Sequence, residues 1–282
     1  IVLTEALEAY PHVPASLHQD QVDAVVLVDE VGDPAKIGAG ETRMTTNPKE
    51  LMLARLTTKV IEYSGLFQEG FSIQTGSGGA SLATTVFLSE KMEAKGISAS
   101  FGLGGITGTM VYMLKRGLIK KLLDVQSFDE FAAKALGENK DHIEISANEY
   151  ANPSSKGAAI KQLDIVVLSA LEVDLDFNVN VMTGSKGFLR GASGGHSDTA
   201  AEAKLAIIVA PLTRGRLPTI TKRVNTIITP GSTVDVVVTD QGIAVHPRHS
   251  ELKERLQKAG LDVVDMQALY ERAITLCGEP QE

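Results

Sequence analysis

Short apolar runs rich in β-branched residues alternate along this chain with longer segments whose apolar residues recur at helical spacing. The alternation is clearest from a predicted strand at residues 71–75 through a helix at about 81–95, a strand at 97–101 and a helix at about 109–115. Strands that are separated by helices pair in parallel, because a parallel connection needs a crossover. The sequence therefore predicts an α/β fold with a layered, open, mostly parallel sheet and flanking helices.

The rest of the chain extends this pattern. Asn47 and Pro48 predict a helix start, with Asn47 as the cap and Pro48 at the first position, and the helix runs to about residue 63. Two runs at 234–239 and 242–245 predict a hairpin. Other predicted strands cover residues 1–4, 22–31, 118–125, 143–146, 163–174, 179–182, 205–211, 219–228 and 261–264, and other predicted helices cover 128–136, 198–203, 249–259 and 266–275.

Glycines cluster at three predicted strand-to-helix turns, at residues 76–79, 102–108 and 191–195. Because glycine has no Cβ, such a turn lets backbone N–H groups approach an anionic or carbonyl oxygen. A tight turn packed beneath a helix would explain one such loop equally well. Three of them in one α/β domain predict a site that holds a charged, oxygen-rich group.

Composition limits the function classes. The chain has 282 residues, 43% of them hydrophobic, which suffices for one large α/β domain or two small ones with a buried core. The formal net charge of −8 and the lack of a long basic run argue against binding to nucleic acid or to an anionic membrane. The sequence contains neither a membrane-length apolar stretch nor a signal peptide. The single cysteine, Cys277, fits a reducing cytoplasm, where we expect the protein to reside.

Two common nucleotide motifs fit poorly. A dinucleotide site needs Gly-x-Gly-x-x-Gly, and after Gly102 and Gly104 the third glycine falls one place late, at Gly108. Asp124 follows at the distance of a ribose-binding acid, which gives weak support. The phosphate-binding motif Gly-x-x-x-x-Gly-Lys-Ser/Thr does not occur.

Two further motifs have ordinary explanations. Ser193 formally matches a Gly-x-Ser-x-Gly nucleophile elbow, but His196 is too close in sequence to serve easily as its base. His196 and Asp198 could form half of a metal site, but no second cluster has matching spacing, so a helix cap explains them better and we expect no metal. The other histidines lie in predicted loops and are expected at the surface: His12, His18, His142, His246 and His249.

Polar residues near predicted strand ends remain candidates. The stretch at residues 148–153 follows a predicted strand, which is where ligands bind in parallel sheets, and Glu149 is its one candidate nucleophile or base. A solvated loop charge is the simpler explanation of that carboxylate. Four arginines, some of them next to glycines, could grip a carboxylate in a bidentate manner, although exposed solubilising charge explains each one separately: Arg190, Arg214, Arg216 and Arg223.

Taken together, these segments resemble the alpha subunit of citrate lyase, the citrate:acetyl-carrier-protein transferase. The resemblance covers essentially the whole chain. One matching run is Gly-Phe-Ser-Ile-Gln-Thr-Gly-Ser-Gly-Gly-Ala-Ser-Leu-Ala at residues 70–83, and the other matching runs lie at 99–110, 148–153, 168–174, 177–184 and 189–201.

The resemblance implies a domain division and a departure from related enzymes. The family's polypeptide has two similar α/β halves, so residues 1–40 are expected to be the end of the preceding half with a crossover, and 41–282 a C-terminal CoA-transferase-like domain. Related CoA-transferases carry Ser-Glu-Asn-Gly at a strand end, and this Glu becomes acylated. Leu103 or Gly104 stands at the corresponding position here. The missing nucleophile favours direct attack by the substrate.

The resemblance also implies the chemistry. A citrate carboxylate attacks the acetyl thioester on the CoA-like phosphoribosyl-dephospho-CoA arm of the carrier protein, giving a mixed acetyl–citryl anhydride and a thiolate. The thiolate then attacks the citryl carbonyl, and acetate leaves. Backbone N–H groups on glycine turns can stabilise both oxyanions. The expected catalytic residues are Gly104, Gly105, Gly78 and Gly79; the substrate-binding candidates are Asn148, Arg190, His196 and Glu149; and Gly194 and Gly195 are expected along the arm.

Partners follow from the same resemblance. We expect citrate, the carrier-protein gamma subunit and the citryl-lyase beta subunit as partners, a homo-oligomer, and no cofactor covalently bound to this chain. One alternative is an ordinary CoA-transferase that uses free CoA and forms a glutamyl thioester on a residue such as Glu149. A second alternative is a sensor or scaffold that binds citrate without catalysis.

Overall fold

The computed structural model describes residues 1–11, 15, 17–33, 45–76, 78–184 and 187–278. The strands are β1 Val2–Thr4, β2 Val25–Leu27, β3 Ser72–Thr75, β4 Phe101–Ile106, β5 Leu122–Ser127, β6 His142–Glu144, β7 Ile165–Ser169, β8 Glu172–Asp174, β9 Val179–Asn180, β10 Leu205–Val209, β11 Thr213–Arg214, β12 Leu217–Pro218, β13 Ile220–Thr221, β14 Val236–Thr239, β15 Gly242–Val245 and β16 Val263–Val264. The helices are α1 Pro48–Tyr63, α2 Gly79–Lys95, α3 Gly108–Lys115, α4 Glu130–Glu138, α5 Ala147–Ala151, α6 His196–Glu202, α7 Ser250–Lys258 and α8 Met266–Cys277.

Nine strands form the main sheet in the order β16-β15-β14-β10-β7-β3-β4-β5-β6. Neighbouring strands run parallel except for the β14–β15 hairpin. Along β7, Ile165 and Val167 pack into one hydrophobic core, whereas Val166 and Leu168 pack into a second core. The central strands are thus buried on both faces between layers of helices. The predicted α/β architecture is confirmed.

Several local predictions are also confirmed. The Asn47 side chain accepts a hydrogen bond from the backbone N–H of Lys49, and Pro48 is the first residue of α1. This arrangement satisfies an N–H group that the first helical turn leaves without a partner. The predicted hairpin is formed by β14 and β15. Within the described residues, no helix combines the length and the apolar character needed to cross a membrane.

Two long predicted strands are wrong. Residues 163–174 form two strands in different sheets, β7 in the main sheet and β8 in a three-stranded sheet. The chain turns away at Ala170 and Leu171, whose carbonyl oxygens accept hydrogen bonds from the Arg214 guanidinium. In residues 219–228 only β13 is a strand. An apolar run shows that a segment is buried, but it does not show where the segment changes sheets.

The central glycine cluster is not the predicted turn. Gly102, Gly104 and Gly105 lie inside β4, and Gly108 is the first residue of α3. The strand register shifts between Gly104 and Gly105, which marks a β-bulge against β5. The predicted strand at 97–101 is therefore displaced towards the carboxyl end. Glycine depresses the strand signal in the sequence even where, as here, it permits close packing within a sheet.

Candidate functional site

A cavity of about 870 Å³ opens at the carboxyl ends of the central strands β3, β4, β5 and β7. This edge is where ligands bind in open parallel sheets. The wall consists mainly of backbone and uncharged side chains from the three glycine-rich segments, the chain after β5, and α5. The lining residues are Gln74, Thr75, Gly76, Gly78, Gly105, Val125, Gln126, Phe128, Ala147, Asn148, Tyr150, Ala151, Asn152, Pro153, Leu168, Ser169, Ala192, Ser193, Gly194, Gly195, His196 and Asp198.

The connection from β3 to α2 presents open backbone. Gly78 caps the N-terminus of the 17-residue helix α2, and among the described residues no atom lies within 4 Å of the position that a Cβ would occupy there. The N-terminus of a helix favours an anion, because its N–H groups and its dipole both point outward. Gly79 is not part of the wall; a Cβ on Gly79 would stand 2.6 Å from a Glu50 carboxylate oxygen. Ser77 lies outside the described residues.

The glycines of β4 are covered by side chains. A Cβ on Gly105 would stand 1.8 Å from the Phe128 ring, so only glycine fits beneath that ring, although Gly105 still contributes to the cavity wall. Gly104 has a φ of +100° and lies against the Gln74 amide, at 3.0 Å from its prospective Cβ. Gly104 is not a lining residue. It makes room for a side chain that does line the cavity.

The third glycine segment leads into α6. Gly195 caps this helix, and a Cβ on Gly195 would stand 2.6 Å from the Tyr150 hydroxyl oxygen. Gly194 has a φ of +49° and lies in open space. Both glycines line the same cavity as Gly78 in the β3–α2 connection. The three glycine segments therefore converge on one site, as the sequence predicted.

His196 is buried at the floor of this segment. Its Nε2 lies 2.9 Å from the Ser169 carbonyl oxygen and its Nδ1 lies 2.6 Å from the Thr229 hydroxyl oxygen. A carbonyl can only accept, so Nε2 carries the hydrogen and the Thr229 hydroxyl donates to Nδ1 of the neutral ring. Burial lowers the pKa of His196, which keeps the ring neutral. Both ring nitrogens are thus bonded within the protein, and the ring joins β7 to the loop that contains Thr229.

The stretch that follows β6 forms the short helix α5. Asn148 lines the cavity, but Glu149 does not. The Glu149 carboxylate accepts hydrogen bonds from the backbone N–H and hydroxyl of Ser146, at 2.8 and 2.9 Å, and completes a capping box. These hydrogen bonds lower its pKa, since they stabilise the carboxylate. Arg190, which we expected to bind citrate, is exposed and does not line the cavity either.

Sequence comparison supplies the family. Residues 1–282 match the family described as citrate lyase, alpha subunit (CitF). The chain belongs to this family. It is 64% identical over 281 residues to the citrate lyase alpha chain of Escherichia coli K12 and 60% identical over 281 residues to that of Klebsiella pneumoniae. Each match covers 100% of this chain and 55% of the relative, so the chain spans about half the length of the curated relatives it matches.

Solved structures agree with citrate lyase alpha-subunit membership. One is described as the alfa subunit of citrate lyase in complex with citrate from Streptococcus mutans; it has a TM-score of 0.93 and 52% identity, over 99% of this chain and 55% of that chain. A Pseudomonas malonate decarboxylase hetero-tetramer in complex with malonate has a TM-score of 0.59 and 15% identity, over 83% of this chain and 50% of that chain. The second likeness concerns the fold alone. The predicted CoA-transferase-like fold is confirmed.

Gln74 and Tyr150 also line the cavity, although neither was predicted as a site residue. The Gln74 amide nitrogen donates to the Tyr150 hydroxyl oxygen over 2.8 Å, and both side chains are buried. Tyr150 stands in the 148–153 stretch that the sequence did single out. Gln74 lies in β3, whose four residues are Ser-Ile-Gln-Thr, so a polar residue at this position does not stand out from its neighbours.

His142 was expected at the surface and is instead fully buried. Its Nε2 lies 2.8 Å from a carboxylate oxygen of Asp124, which also accepts a hydrogen bond from the Ser127 hydroxyl at 2.6 Å. Asp124 was the candidate ribose-binding acid, but its side chain is buried in this contact between β5 and β6. Neighbouring parallel strands bring these polar groups together, a pairing that the sequence does not display. Within the described residues, no three His, Cys, Asp or Glu side chains are grouped as a metal site.

Proposed function

We propose that this chain forms the part of a citrate lyase alpha subunit that binds citrate and transfers the carrier-protein thioester from acetate to citrate. The observation that carries the proposal is the composition of the cavity wall at the strand ends. Three glycine segments and several neutral polar side chains converge there, and Asp198 is the only carboxylate among the described lining residues. The wall therefore offers neutral hydrogen-bond donors to an acyl group and an anionic substrate.

The reaction has two acyl-transfer steps. A citrate carboxylate oxygen attacks the acetyl carbonyl of the thioester, the carbon–sulfur bond breaks, and the thiolate leaves. The thiolate then attacks the citryl carbonyl of the anhydride, and acetate leaves with the bridging oxygen. Because the attacking group is already an anion, orientation and stabilisation of the developing oxyanions are the main tasks of the protein.

We assign these tasks by position in the cavity. Gly78 at the start of α2 and Gly105 on β4 form the acyl site, with Gly79 and Gly104 supporting them from behind. Asn148 faces the same space and is the best placed of the predicted residues to bind a citrate carboxylate. Glu149 and His196, which we also predicted to bind citrate, could reach it only after rearrangement of the contacts described above, and Arg190, predicted likewise, is exposed outside the cavity wall.

In this proposal the carrier arm approaches along Gly194, whose prospective Cβ lies in open space, and the neighbouring Gly195. In this proposal the arm is a substrate that the gamma subunit presents, and the beta subunit cleaves the product. We further propose a cytoplasmic, homo-oligomeric assembly in which residues 41–282 are the C-terminal CoA-transferase-like domain and residues 1–40 end the preceding half.

The glutamyl-thioester alternative has less support. The Leu103 side chain is fully buried in the core, and Gly104 offers no carboxylate. The Glu149 carboxylate accepts hydrogen bonds from the Ser146 backbone N–H and hydroxyl, and Glu149 is not part of the cavity wall. A nucleophilic carboxylate must reach the acyl carbon at roughly 3 to 3.5 Å. Glu149 would first have to leave its capping box.

Oxygen labelling separates the two routes. The purified protein, in excess over an acetylated carrier protein, is mixed with citrate that carries ¹⁸O in its carboxylates, and the acetate of a single turnover is examined by mass spectrometry. Direct attack transfers one labelled oxygen to every acetate, since the bridging oxygen comes from citrate. A glutamyl route releases unlabelled acetate in the first turnover, because that oxygen comes from the enzyme.

Citryl thioester formation is measured in the same samples, so that simple hydrolysis is recognised by acetate without citryl thioester. Unlabelled acetate together with an equal amount of citryl thioester would contradict direct attack. Citrate binding without any acetate release would instead favour the sensor or scaffold reading.

A further inference from the structure

The buried pair of Gln74 and Tyr150 has no role in the mechanism so far, although both side chains line the cavity. The two residues are 76 positions apart in sequence and meet through one hydrogen bond of 2.8 Å. Tyr150 is 8% exposed and Gln74 is 7% exposed. Buried polar side-chain atoms normally have a hydrogen-bond partner, and Gln74 Oε1 has none among the described residues, so the unfilled capacity of this pair is informative.

The direction of the hydrogen bond leaves the tyrosine hydrogen free. The Gln74 amide nitrogen donates, so the phenolic oxygen of Tyr150 accepts, and its own hydrogen must point elsewhere. Within the described part of the chain, the Tyr150 hydroxyl has no hydrogen-bond acceptor. A donor that already accepts a hydrogen bond is also polarised into a stronger donor. The pair thus presents one oriented O–H group at the cavity wall.

The backbone around the pair has glycine where any side chain would collide with it. A Cβ on Gly104 would stand 3.0 Å from the Gln74 amide carbon, and Gly104 has a φ of +100°. A Cβ on Gly195 would stand 2.6 Å from the Tyr150 hydroxyl oxygen. Gly104, predicted as catalytic, and Gly195, predicted along the carrier arm, therefore leave room for this pair, one beside Gln74 and the other beside Tyr150.

Tyr150 stays protonated under all working conditions. Burial raises its pKa to about 12, and the nearby Asp198 carboxylate acts in the same direction. The side chain is therefore a donor and neither a base nor an anion. Asp198, which also lines the cavity, limits the negative charge that this part of the wall accepts, so an uncharged donor is better suited here than a second carboxylate.

We infer that Tyr150 donates its hydroxyl hydrogen to a carboxylate oxygen of bound citrate, and that Gln74 is a positioning residue that aims this hydrogen. The inference rests on the proposed function, since it names one contact of the proposed citrate site. It also changes the role of Gly104 and Gly195. They affect citrate binding indirectly, because they leave room for the Gln74 and Tyr150 side chains.

Three variants test the inference by direct citrate binding, for example by calorimetry, alongside kcat and KM for citrate. Tyr150→Phe removes the donor, and the Kd for citrate is expected to rise about 10- to 100-fold, the usual value of a hydrogen bond to a charged group. Gln74→Glu keeps the shape but turns donor into acceptor, so the tyrosine hydrogen points at Glu instead of citrate; the loss is expected to be at least as large as for Tyr150→Phe, because the new carboxylate also repels citrate. Gln74→Leu removes the orientation alone and is expected to cost less.

The double variant Gln74→Leu/Tyr150→Phe, which adds no charge to the wall, distinguishes positioning from a general structural effect. If Gln74 acts through Tyr150, the double variant binds citrate as weakly as Tyr150→Phe and no more weakly. Tyr112→Phe, on the exposed face of α3, is the matched control and is expected to bind as the parent does. Thermal unfolding of every variant checks that the fold is intact.

The outcomes separate this inference from the proposed function. Tyr150→Phe or Gln74→Glu with a parental Kd would overturn the inference while leaving the transfer reaction intact. A variant that lowers kcat with an unchanged Kd would also overturn it, because the contact would then belong to the transition state. A parent protein that neither binds citrate nor releases acetate would refute the proposed function itself.

Discussion

Two glycine-rich connections of this molecule look alike in sequence and differ in structure. Between β3 and α2, Gly78 lines the cavity, and no atom of the part of the chain that the structure describes lies within 4 Å of its prospective Cβ. Between β4 and α3, the glycines lie in a strand and under side chains, and the Phe128 ring covers Gly105 at a distance of 1.8 Å from its prospective Cβ. The first connection exposes backbone to a ligand, whereas the second lets side chains approach backbone.

The difference shows that a glycine cluster predicts close approach without saying what approaches. Residues 191–195 combine both kinds of use. Gly194 is open, whereas Gly195 lies beneath Tyr150, and a Cβ on Gly191 would stand 2.7 Å from the Val181 carbonyl oxygen. Substitution by alanine distinguishes the two kinds of glycine. At a covered glycine it should lower the stability of the fold, whereas at an open glycine it should impair the reaction of the bound ligand.

The largest effect on stability is expected for Gly105→Ala. The new methyl carbon would stand 1.8 Å from the Phe128 ring, so the backbone or the ring has to move. Overpacking of this kind typically costs 1 to 3 kcal/mol, and we expect a loss of about 3 kcal/mol in the free energy of unfolding, measured by denaturant titration. Gly137→Ala in α4, where the Cβ site is open, is the matched control and should leave the free energy unchanged or slightly raised.

A second substitution tests the cause. Phe128→Leu removes the ring that covers Gly105, so Gly105→Ala should cost much less in the Phe128→Leu background than in the parent. Additive losses in the double variant would show that the clash with Phe128 is not the reason for the instability.

A moderate effect is expected from protonation of His196, which lies directly behind the third glycine segment. Its pKa is lowered in the folded protein by burial, whereas the unfolded chain titrates near the ordinary value of 6.5. Below that pH the unfolded state binds more protons, so the stability that is fully present above pH 6.5 is lost as the pH falls. The expected slope is at most about 1.4 kcal/mol per pH unit.

Denaturant unfolding at pH 8 down to pH 5 measures this slope. The comparison with His196→Gln matters because burial also lowers the pKa of His246, which contributes a slope of the same sign. The parent should lose more free energy of unfolding over this range than His196→Gln does. Equal losses would assign the pH dependence to other groups and would count against a neutral His196 between Ser169 and Thr229.

The sequence predicted those parts of the fold that depend on local patterns. The Asn47 cap, the β14–β15 hairpin and the alternation of strands and helices each arise from residues close together in the chain. It also predicted that the three glycine segments would meet, because turns after parallel strands share one edge of the sheet. Six of the ten predicted site residues line the cavity: Gly78, Gly105, Asn148, Gly194, Gly195 and His196.

The remaining features depend on contacts between residues far apart in sequence. Burial of His142 depends on Asp124 in the neighbouring strand, and the orientation of Tyr150 depends on Gln74. The position of β4 depends on Phe128, which covers a glycine that strand propensity disfavours. A single sequence displays none of these pairings, so the strand limits and the Gln74–Tyr150 pair could only be read from the structure.

The smallest effect on stability is expected for Gly78→Ala. This variant tests most directly whether an open glycine differs from a covered one. Gly78 has a φ of −66° and a ψ of 154°, which alanine adopts without strain, and its Cβ site is empty. The free energy of unfolding should stay within about 0.5 kcal/mol of the parent value. The new methyl group nevertheless points into space beside the proposed acyl site. A displacement of about 1 Å in the reacting group can cost 100-fold in rate, so the rate of acetate release should fall about 10- to 100-fold.

The loss is measured as the rate of acetate release from the acetylated carrier protein in the presence of citrate, in samples quenched at a series of times. Gly137→Ala is the control for an added methyl group that should have no effect. Unchanged stability with impaired release would mean that the β3–α2 backbone handles the acyl group. If Gly78→Ala released acetate at the parental rate, the β3–α2 connection would not be part of the acyl site. The covered glycine Gly105 would then be the remaining backbone candidate, and the contrast between the two connections would lose its functional meaning.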